Sequence, residues 1–519
     1  MTKRVFFAPF RFLGASILFL VLVSRLSAVA HAQAPVWTDA GRPTRTALEA
    51  VQLLENAGAD GLNPASYRAV ELRGVADRLL STGADDAESS RFEAELTAAM
   101  RRYLSDVHIG RVDPRQIGFR LDVPDDRHDF LALVEDAARS GSLGRLIDEF
   151  RPPYLQYRQL IAALREYRQR AAGGPDVAVP DSAPPLRPGE LLREATGIRS
   201  RLAQLGDLSA DTPTGDGPFA GDIVDAMIRF QRRHGLIPDG IVGVGTLAAL
   251  RVPLAQRVRQ IELALERLRW LPHQEHRRLL VINIPMFQLW AWDRSPRDAA
   301  PVFETGVIVG RALNTQTPVL AKAMREVNFR PYWNVPRSIV VNEVRPAVAA
   351  NPEYLLDNDM ELVEGEGDNS PVVDASPENL ERLWRGEVRV RQRPGPRNAL
   401  GLVKFVFPND ENVYLHGTPA QTLFSRARRD FSHGCVRVQD TVALAEWVLG
   451  SEGGWPRERI QGAMADTRSL RVQLSEPIDV LLFYTTAVAA REGSVRFADD
   501  IYRHDARLDR ALEASATVP

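Results

Sequence analysis

The chain contains almost no cysteine, since Cys435 is the single thiol among 519 residues. This scarcity excludes a framework of disulfide bonds within the chain. An excess of charge of one sign is also lacking: 65 basic and 67 acidic residues give a net charge of −2. That balance argues against an overall electrostatic attraction to nucleic acid. After Val23, no apolar run in the sequence is long enough to cross a bilayer.

The N-terminal segment has the pattern of a secretory signal peptide. Lys3, Arg4 and Arg11 precede the apolar run 12–23, and the small residues of Ala30-His31-Ala32 suit a cleavage site. We predict that residues 1–32 are a signal peptide cleaved after Ala32. A retained membrane anchor is the alternative, although this run is short for a transmembrane span. In an exported protein a single free thiol is exposed to oxidation, so its presence favours a chemical role.

The rest of the sequence is long enough for several domains with separate cores. Residues 35–170 have helical periodicity, with Phe92, Leu96, Met100 and Leu104 as the clearest apolar stripe. From about residue 277 the periodicity changes from helical to alternating, which predicts strands. The predicted boundaries are 35–170 helical, 171–188 a Pro/Gly linker, 189–255 a compact helical unit, 256–276 a linking helix, 277–490 a mainly β domain interrupted by an insertion at 345–396, and 491–519 a C-terminal tail.

The stretch from His416 to Arg437 is the candidate site for chemistry. Cys435 follows His433 by two positions and His416 by nineteen. An imidazole can take the proton of a thiol or lower its pKa, and the N–H groups around Gly434 could form an oxyanion hole. Two other interpretations are a buried cysteine that serves only as a small apolar residue, and a zinc site with two histidines and one cysteine as ligands.

This stretch resembles the signature of the L,D-transpeptidases, cysteine enzymes that cross-link peptidoglycan. Their motif is HG, a spacer, and then [S/T]HGC followed by one residue and Arg or Asn. His416-Gly417 and Ser432-His433-Gly434-Cys435-Val436-Arg437 match it. The resemblance implies that Cys435 is the nucleophile. The family base is usually placed on the histidine of the SHGC element, here His433, while the HG histidine, His416, lines the same pocket. Sequence alone does not fix which imidazole takes the proton, so both are candidates.

The resemblance also implies roles for neighbouring residues. A backbone carbonyl near the HG glycine orients the base, and Gly417 lies at that position. Gly434 lies beside the thiol, where backbone N–H groups would hold an oxyanion. For the substrate we expect Arg437 to bind a carboxylate, Ser432 to lie in the substrate site, and Trp333 to line the groove. No metal or other cofactor is expected.

Two further segments carry weaker resemblances. The run FQRRHGLIPDGIVGVGTLAAL is similar to a small three-helix peptidoglycan-binding domain, with Val244 where proline is common, and 345–396 is similar to a capping insertion of the larger Gram-negative enzymes. The helical region 35–170 is similar to their scaffold domain. The expected fold is therefore multidomain α+β: a helical N-terminal scaffold, a three-helix peptidoglycan-binding-like domain, and a mainly β catalytic domain, a β-sandwich in the family, with a capping lid.

The activity implied is 3→3 cross-linking through a cysteine thioester formed from tetrapeptide stems with release of D-Ala, in the periplasm. The expected partners are peptidoglycan stem peptides and glycan, and other enzymes of wall synthesis, with no nucleic acid and no membrane span after signal cleavage. Carbapenems would acylate the thiol. The sequence leaves open an L,D-carboxypeptidase, an enzyme that tethers a lipoprotein to the wall, a catalytically inactive wall-binding protein, and a zinc hydrolase.

Overall fold

A computed structural model describes residues 35–121, 127–180, 185–191, 196–209, 218–271, 278–294, 300–313, 315–365, 367–490 and 493–516. The predicted signal peptide, 1–32, lies outside these residues. Within the described ranges, no helix combines the length and the apolar character that a membrane crossing requires.

The N-terminal region is helical, as the sequence predicts. Thr44 and Asp85 cap the first and third helices by accepting hydrogen bonds from backbone N–H groups. The predicted stripe from Phe92 to Leu104 is buried in a core formed by this region. Its elements are β1 Thr38–Asp39, β2 Arg42–Pro43, α1 Arg45–Glu55, α2 Ala69–Thr82, α3 Asp86–Ile109, α4 Phe130–Ser140, α5 Leu143–Phe150 and α6 Leu155–Ala172, with 3₁₀ turns at Asn56–Asp60, Pro64–Tyr67 and Pro114–Ile117.

A second helical unit follows the Pro/Gly-rich segment. Ile223, Met227 and Phe230 are buried on one face of its second helix, as predicted from their spacing. The unit shares one continuous apolar core with α6 and the β region. Its helices are α7 Thr196–Leu205, α8 Asp222–Arg233 and α9 Val244–Arg251, and the linking helix α10 Leu254–Arg269 follows directly.

The β region begins with β3 Leu279–Asn283, β4 Gln288–Trp292, β5 Phe303–Gly310 and β6 Leu320–Phe329. Residues 333–392, here called the small-sheet unit, form a separate four-stranded sheet in the order β7-β10-β8-β9 with its own apolar core. The sheet thus begins before residue 345, where the insertion was predicted to start. The elements of this unit are β7 Trp333–Asn334, α11 Arg337–Ile339, a π-helical turn Val340–Val344, α12 Arg345–Ala350, α13 Tyr354–Asp357, β8 Met360–Val363, β9 Val372–Val373, α14 Pro377–Arg385 and β10 Arg389–Gln392.

The chain then completes the large sheet. The remaining elements are β11 Val403–Val406, β12 Leu415–His416, a 3₁₀ turn Gln421–Ser425, β13 Asp430–Ser432, β14 Val436–Val438, α15 Thr441–Leu449, α16 Arg457–Ala465, β15 Leu470–Phe483, β16 Ala487–Ala489, β17 Val495–Phe497 and α17 His504–Ala516. Residues 491–519, expected as a tail, contain β17 and α17, because Leu508 and Leu512 of that helix are buried in the shared core.

In the described residues the large sheet has nine strands, in the order β13-β5-β14-β12-β11-β6-β15-β3-β4. A further pairing between β4 and β5 joins the two sides of this order, so that the sheet closes on itself. The β-sandwich implied by the family resemblance is here one continuous closed sheet, because β4 pairs with both β3 and β5. The fold class is otherwise confirmed. The central strands β12 and β14 carry the two halves of the candidate site.

Candidate functional site

The two halves of the motif meet on adjacent parallel strands. Leu415 lies opposite Val436 and His416 opposite Arg437 in the β12–β14 ladder. The Val436 N–H donates to the Tyr414 carbonyl at 3.1 Å. Since side chains alternate along a strand, the residues one position before Leu415 and Val436, Tyr414 and Cys435, share the face that carries His416 and Arg437. The nineteen-residue separation in sequence is thus closed by strand pairing.

Cys435 is a half-buried thiol at the start of β14. Its S–H donates to the Asn412 carbonyl, with the sulfur 3.7 Å from the oxygen. Burial raises the pKa of this thiol, and hydrogen bonding with Tyr414 and the charges of Lys404 and Arg437 oppose that rise. The sulfur therefore carries its proton at neutral pH and needs a base to remove it.

His416 has the geometry of such a base. Its ring is 4% exposed, and Nδ1 donates to the Gly417 carbonyl at 2.6 Å. A carbonyl only accepts, so Nδ1 carries the proton and the lone pair of the neutral ring is on Nε2. Burial lowers the pKa of His416 to about 3, and the positive charge of Arg437 adds to this. The ring is therefore neutral, which a proton acceptor must be. Gly417 lies where the family resemblance places the orienting carbonyl.

His433 lies in a different environment. Its side chain is 32% exposed, and Nε2 lies 2.7 Å from Oε1 of Glu343. Glu343 belongs to the π-helical turn of the small-sheet unit. Because a carboxylate only accepts hydrogen bonds, the Nε2–H of His433 donates to Glu343 and so links His433 to the small-sheet unit. The structure thus separates the two imidazoles, one fixed by its own strand and one bonded to the small-sheet unit.

The loop before the thiol is held by internal hydrogen bonds. The Ser432 hydroxyl accepts from the Gly434 N–H at 3.2 Å and donates to the Cys435 carbonyl at 2.5 Å. Gly434 has φ +114°, which only glycine adopts without strain, and its carbonyl accepts from the Thr317 hydroxyl at 2.7 Å. Ser432 is buried and fixes the loop, and its contact with a substrate stays a prediction. The predicted oxyanion donor Gly434 N–H is engaged with Ser432.

The two predicted groove residues lie on different sheets. Arg437 is half-buried on β14, and its Nε has no hydrogen-bond partner among the described residues. Burial lowers the pKa of Arg437, and the positive charge of Arg311 lowers it further. Two positive charges that act on each other in this way suit an anion. Trp333 is half-buried on β7 and packs against the core of the small-sheet unit.

Sequence reasoning missed Tyr414, Lys404, Asn412 and Glu343. The Lys404 ammonium lies 3.8 Å from the centroid of the Tyr414 ring, and Lys404 is opposite His416 in the β11–β12 ladder. A usable signal existed for Tyr414, which precedes His416 by two positions in a predicted strand and so shares its face. The sequence carries no signal for Glu343, because its contact with His433 joins segments that are 90 positions apart in the chain.

Outside the HG and SHGC elements, the described residues line two cavities and form no metal site. Within the described residues, no group of three or more His, Cys, Asp or Glu side chains is placed to hold a metal ion. Two cavities, of about 850 and 400 Å³, contain no residue of the HG or SHGC elements in their walls. The larger is apolar and lies between the large sheet and helices α6 and α10. Neither cavity is part of the thiol site.

Together, the fold and the site place a thiol and a buried, neutral imidazole on one face of a closed β-sheet, with flanking helical units. Residues 277–472 match the model of the L,D-transpeptidase catalytic domain, 196–250 that of the "Putative peptidoglycan binding domain", and 29–164 that of the scaffold domain. The β region of the chain is thus similar to the L,D-transpeptidase catalytic domain.

Two similar proteins are named as L,D-transpeptidases. A "Putative L,D-transpeptidase" from Haemophilus influenzae is 31% identical over 233 residues, which is 45% of this chain and 45% of that protein. The match thus spans about half of the length of that relative. The crystal structure of an L,D-transpeptidase from Stackebrandtia nassauensis aligns with 14% identity over 60% of this chain and 97% of the other, with a TM-score of 0.23. That score is too low to support an argument from the alignment.

Proposed function

We propose that this protein is an L,D-transpeptidase that forms 3→3 cross-links in peptidoglycan through a thioester on Cys435. The observation that carries the proposal is the pairing of β12 with β14. This pairing supports the proposal because it brings the thiol to the face of the sheet that carries a neutral imidazole, whose Nδ1 donates to the Gly417 carbonyl. The catalytic-domain match over 277–472 supports the reaction class.

In the first half-reaction, His416 Nε2 takes the proton of the Cys435 thiol. The thiolate attacks the carbonyl between the third and fourth residues of a tetrapeptide stem, and a C–S bond forms. His416 then gives its proton to the departing amine, the C–N bond breaks, and D-Ala leaves. The N–H of Cys435 and the hydroxyl of Tyr414 would hold the oxyanion, and each donor contributes about 3 kcal/mol in such sites. Burial and the Cys435 thiol raise the pKa of Tyr414, so its hydroxyl keeps the proton that it would donate.

In the second half-reaction, the side-chain amine of another stem's diaminopimelate attacks the thioester. His416 removes a proton from this amine, the new amide forms, and Cys435 leaves as the thiolate, which recovers its proton from His416. Water as acceptor would give a carboxypeptidase, and a lipoprotein lysine would give a tethering enzyme. Arg437, with Arg311 beside it, would bind a stem carboxylate.

The small-sheet unit would act as the lid over the acyl-enzyme. Its own core makes it a separate body, and exposed ion pairs hold it to the large sheet, Glu343 with His433 at 2.7 Å and Asp368 with Arg471 at 2.8 Å. Exposed pairs of this kind contribute about 0–1 kcal/mol each, so opening is inexpensive. The helical unit around 196–250 would hold the enzyme near the wall in the periplasm.

The test is incubation of purified protein with a disaccharide-tetrapeptide, followed by intact mass. We expect loss of D-Ala and an acyl adduct, which must lie on Cys435 as the chain's single thiol. Cys435→Ala should form no adduct and lose about 10⁴-fold or more in turnover. A carbapenem should add its mass to the wild type and not to the variant.

The products then separate the alternatives. A dimer linked through two diaminopimelate residues supports the transpeptidase, and a tripeptide alone supports the carboxypeptidase. An unmodified protein that still binds sacculi would instead indicate a wall-binding protein. Turnover that persists in Cys435→Ala and disappears with a chelator would overturn the thiol mechanism in favour of a metal hydrolase.

A further inference from the structure

Lysine is rare in this chain. Of the 65 basic residues only three are lysines, at positions 3, 322 and 404, and all others are arginine. Lysine differs from arginine in carrying a compact point charge on a flexible stem. One of the two lysines in the described residues, Lys404, is beside the thiol site.

The position of Lys404 is set by the sheet. It lies on β11 directly opposite His416 of β12, and its Nζ is 3.8 Å from the centroid of the Tyr414 ring. A cation at this distance from an aromatic face is attracted to it. The same ring also interacts with the thiol, since Tyr414 lowers the pKa of Cys435 and Cys435 raises the pKa of Tyr414. A chain of contacts therefore joins the ammonium to the sulfur through one tyrosine.

The carboxylates around Lys404 are engaged elsewhere. Glu326 accepts from Gln473 at 2.5 Å, and Asp368 pairs with Arg471 at 2.8 Å. In the portion of the chain that the structure describes, Lys404 has no ion pair within 4.0 Å. Its charge is half-buried and faces the Tyr414 ring, in an environment with little screening.

We propose that Lys404 is a positioning residue for the nucleophile, whose ammonium, held against the Tyr414 ring, stabilises the Cys435 thiolate and the adjacent oxyanion. The catalytic part of this inference rests on the function proposed above. The electrostatic part concerns the sulfur alone and needs no substrate. Lys404 lowers the pKa of Cys435, and the thiol in turn raises the pKa of the lysine, which burial lowers. It also lowers the pKa of His416, which keeps the base neutral.

The experiment is the rate of iodoacetamide alkylation against pH, followed by intact mass. Because Cys435 is the single thiol, every added carbamidomethyl group reports on it. We expect Lys404→Met to raise the apparent pKa of alkylation by about 1 unit, because the charge of Lys404 lowers the pKa of the thiol and charges near a titrating group shift its pKa by about 1–3 units. Below that pKa, alkylation would be about 10-fold slower. Lys404→Arg, which keeps the charge, should stay within about 0.3 units of wild type.

Lys322→Met is the matched control, because Lys322 is on β6 of the same sheet and lines the large apolar cavity. Its profile should equal that of wild type. A folded Lys404→Met with an unchanged profile would overturn the proposal. An equal shift in Lys404→Arg would also overturn it, by attributing the effect to packing. Should the methionine variant not fold, Lys404→Gln is subject to the same criteria.

Turnover of the tetrapeptide separates this proposal from the one on which it rests. A wild type that shows the lysine-dependent profile but no acyl adduct would refute the proposed function and leave the electrostatic role of Lys404 standing. A wild type that releases D-Ala, together with a Lys404→Met variant whose alkylation profile is unchanged, would support the proposed function and refute the electrostatic role of Lys404.

Discussion

The large sheet and the small-sheet unit differ in how they hold the residues of the site. On the large sheet, His416 is 4% exposed and its ring is fixed by the next carbonyl in its own chain. The small-sheet unit has a separate core and contributes Glu343, whose side chain is 50% exposed, to a contact with His433. One region provides fixed geometry, and the other provides a contact that can break.

This difference separates the two histidines that the motif leaves equivalent. A base must stay oriented while protons move, which requires a buried ring with a fixed tautomer. His416 meets that requirement. His433 is bonded to a unit that must move if substrate is to enter beneath it. The large sheet is therefore proposed to carry the chemistry and the small-sheet unit the access.

The largest expected effect on the rate of D-Ala release comes from replacing each of the two histidines in turn by glutamine. His416→Gln should lower the rate of D-Ala release by about 10²–10⁴-fold, because an amide cannot accept the thiol's proton as the neutral His416 ring can. His433→Gln should cost less than about 10-fold. Single-turnover kinetics of the acyl adduct measure both. The reverse ranking would assign the base to the SHGC histidine.

A smaller effect concerns stability in acid. The pKa of His416 is about 3 in the folded state, against about 6.5 when unfolded. The unfolded chain therefore binds the proton first, so stability is complete above about pH 6.5 and is lost as the pH falls towards 3. Between pH 7 and pH 5 this ring should cost the wild type about 2 kcal/mol.

Urea unfolding of wild type and His416→Gln at both pH values isolates that contribution. His504, whose pKa burial lowers to about 4, is present in both proteins and cancels in the difference. An identical loss of stability in the two proteins would show that the His416 ring is protonated, or solvent-accessible, in the folded state.

The smallest effect is expected at the contact between the two regions. Glu343→Gln should raise KM about 2- to 5-fold and leave kcat within about 2-fold, since an exposed ion pair contributes about 0.2–1 kcal/mol. Glu353→Gln, an exposed residue of the same unit, is the control and should match wild type. A large fall in kcat for Glu343→Gln would mean that the small-sheet unit takes part in the chemistry.

Local pattern was a good guide to the elements and a poor guide to their arrangement. The alternation at 280–284 and 288–292 predicts β3 and β4, and Pro285-Met286 predicts the turn between them, all within one residue of the structure. Closure of the sheet depends on β4 pairing with β5, a tertiary contact that strand periodicity does not encode. For the same reason, the sequence predicts a C-terminal tail where the structure has α17 packed against the shared core.

By itself, the sequence determined the fold class, the single thiol and the motif that surrounds it, because those depend on residue type and spacing. Only the tertiary structure decided which imidazole is buried and oriented, that Ser432 fixes the loop, and that Lys404 and Tyr414 stand beside the sulfur. Those properties follow from strand register. A register places residues far apart in the chain on one face of a sheet, and no local spacing records it.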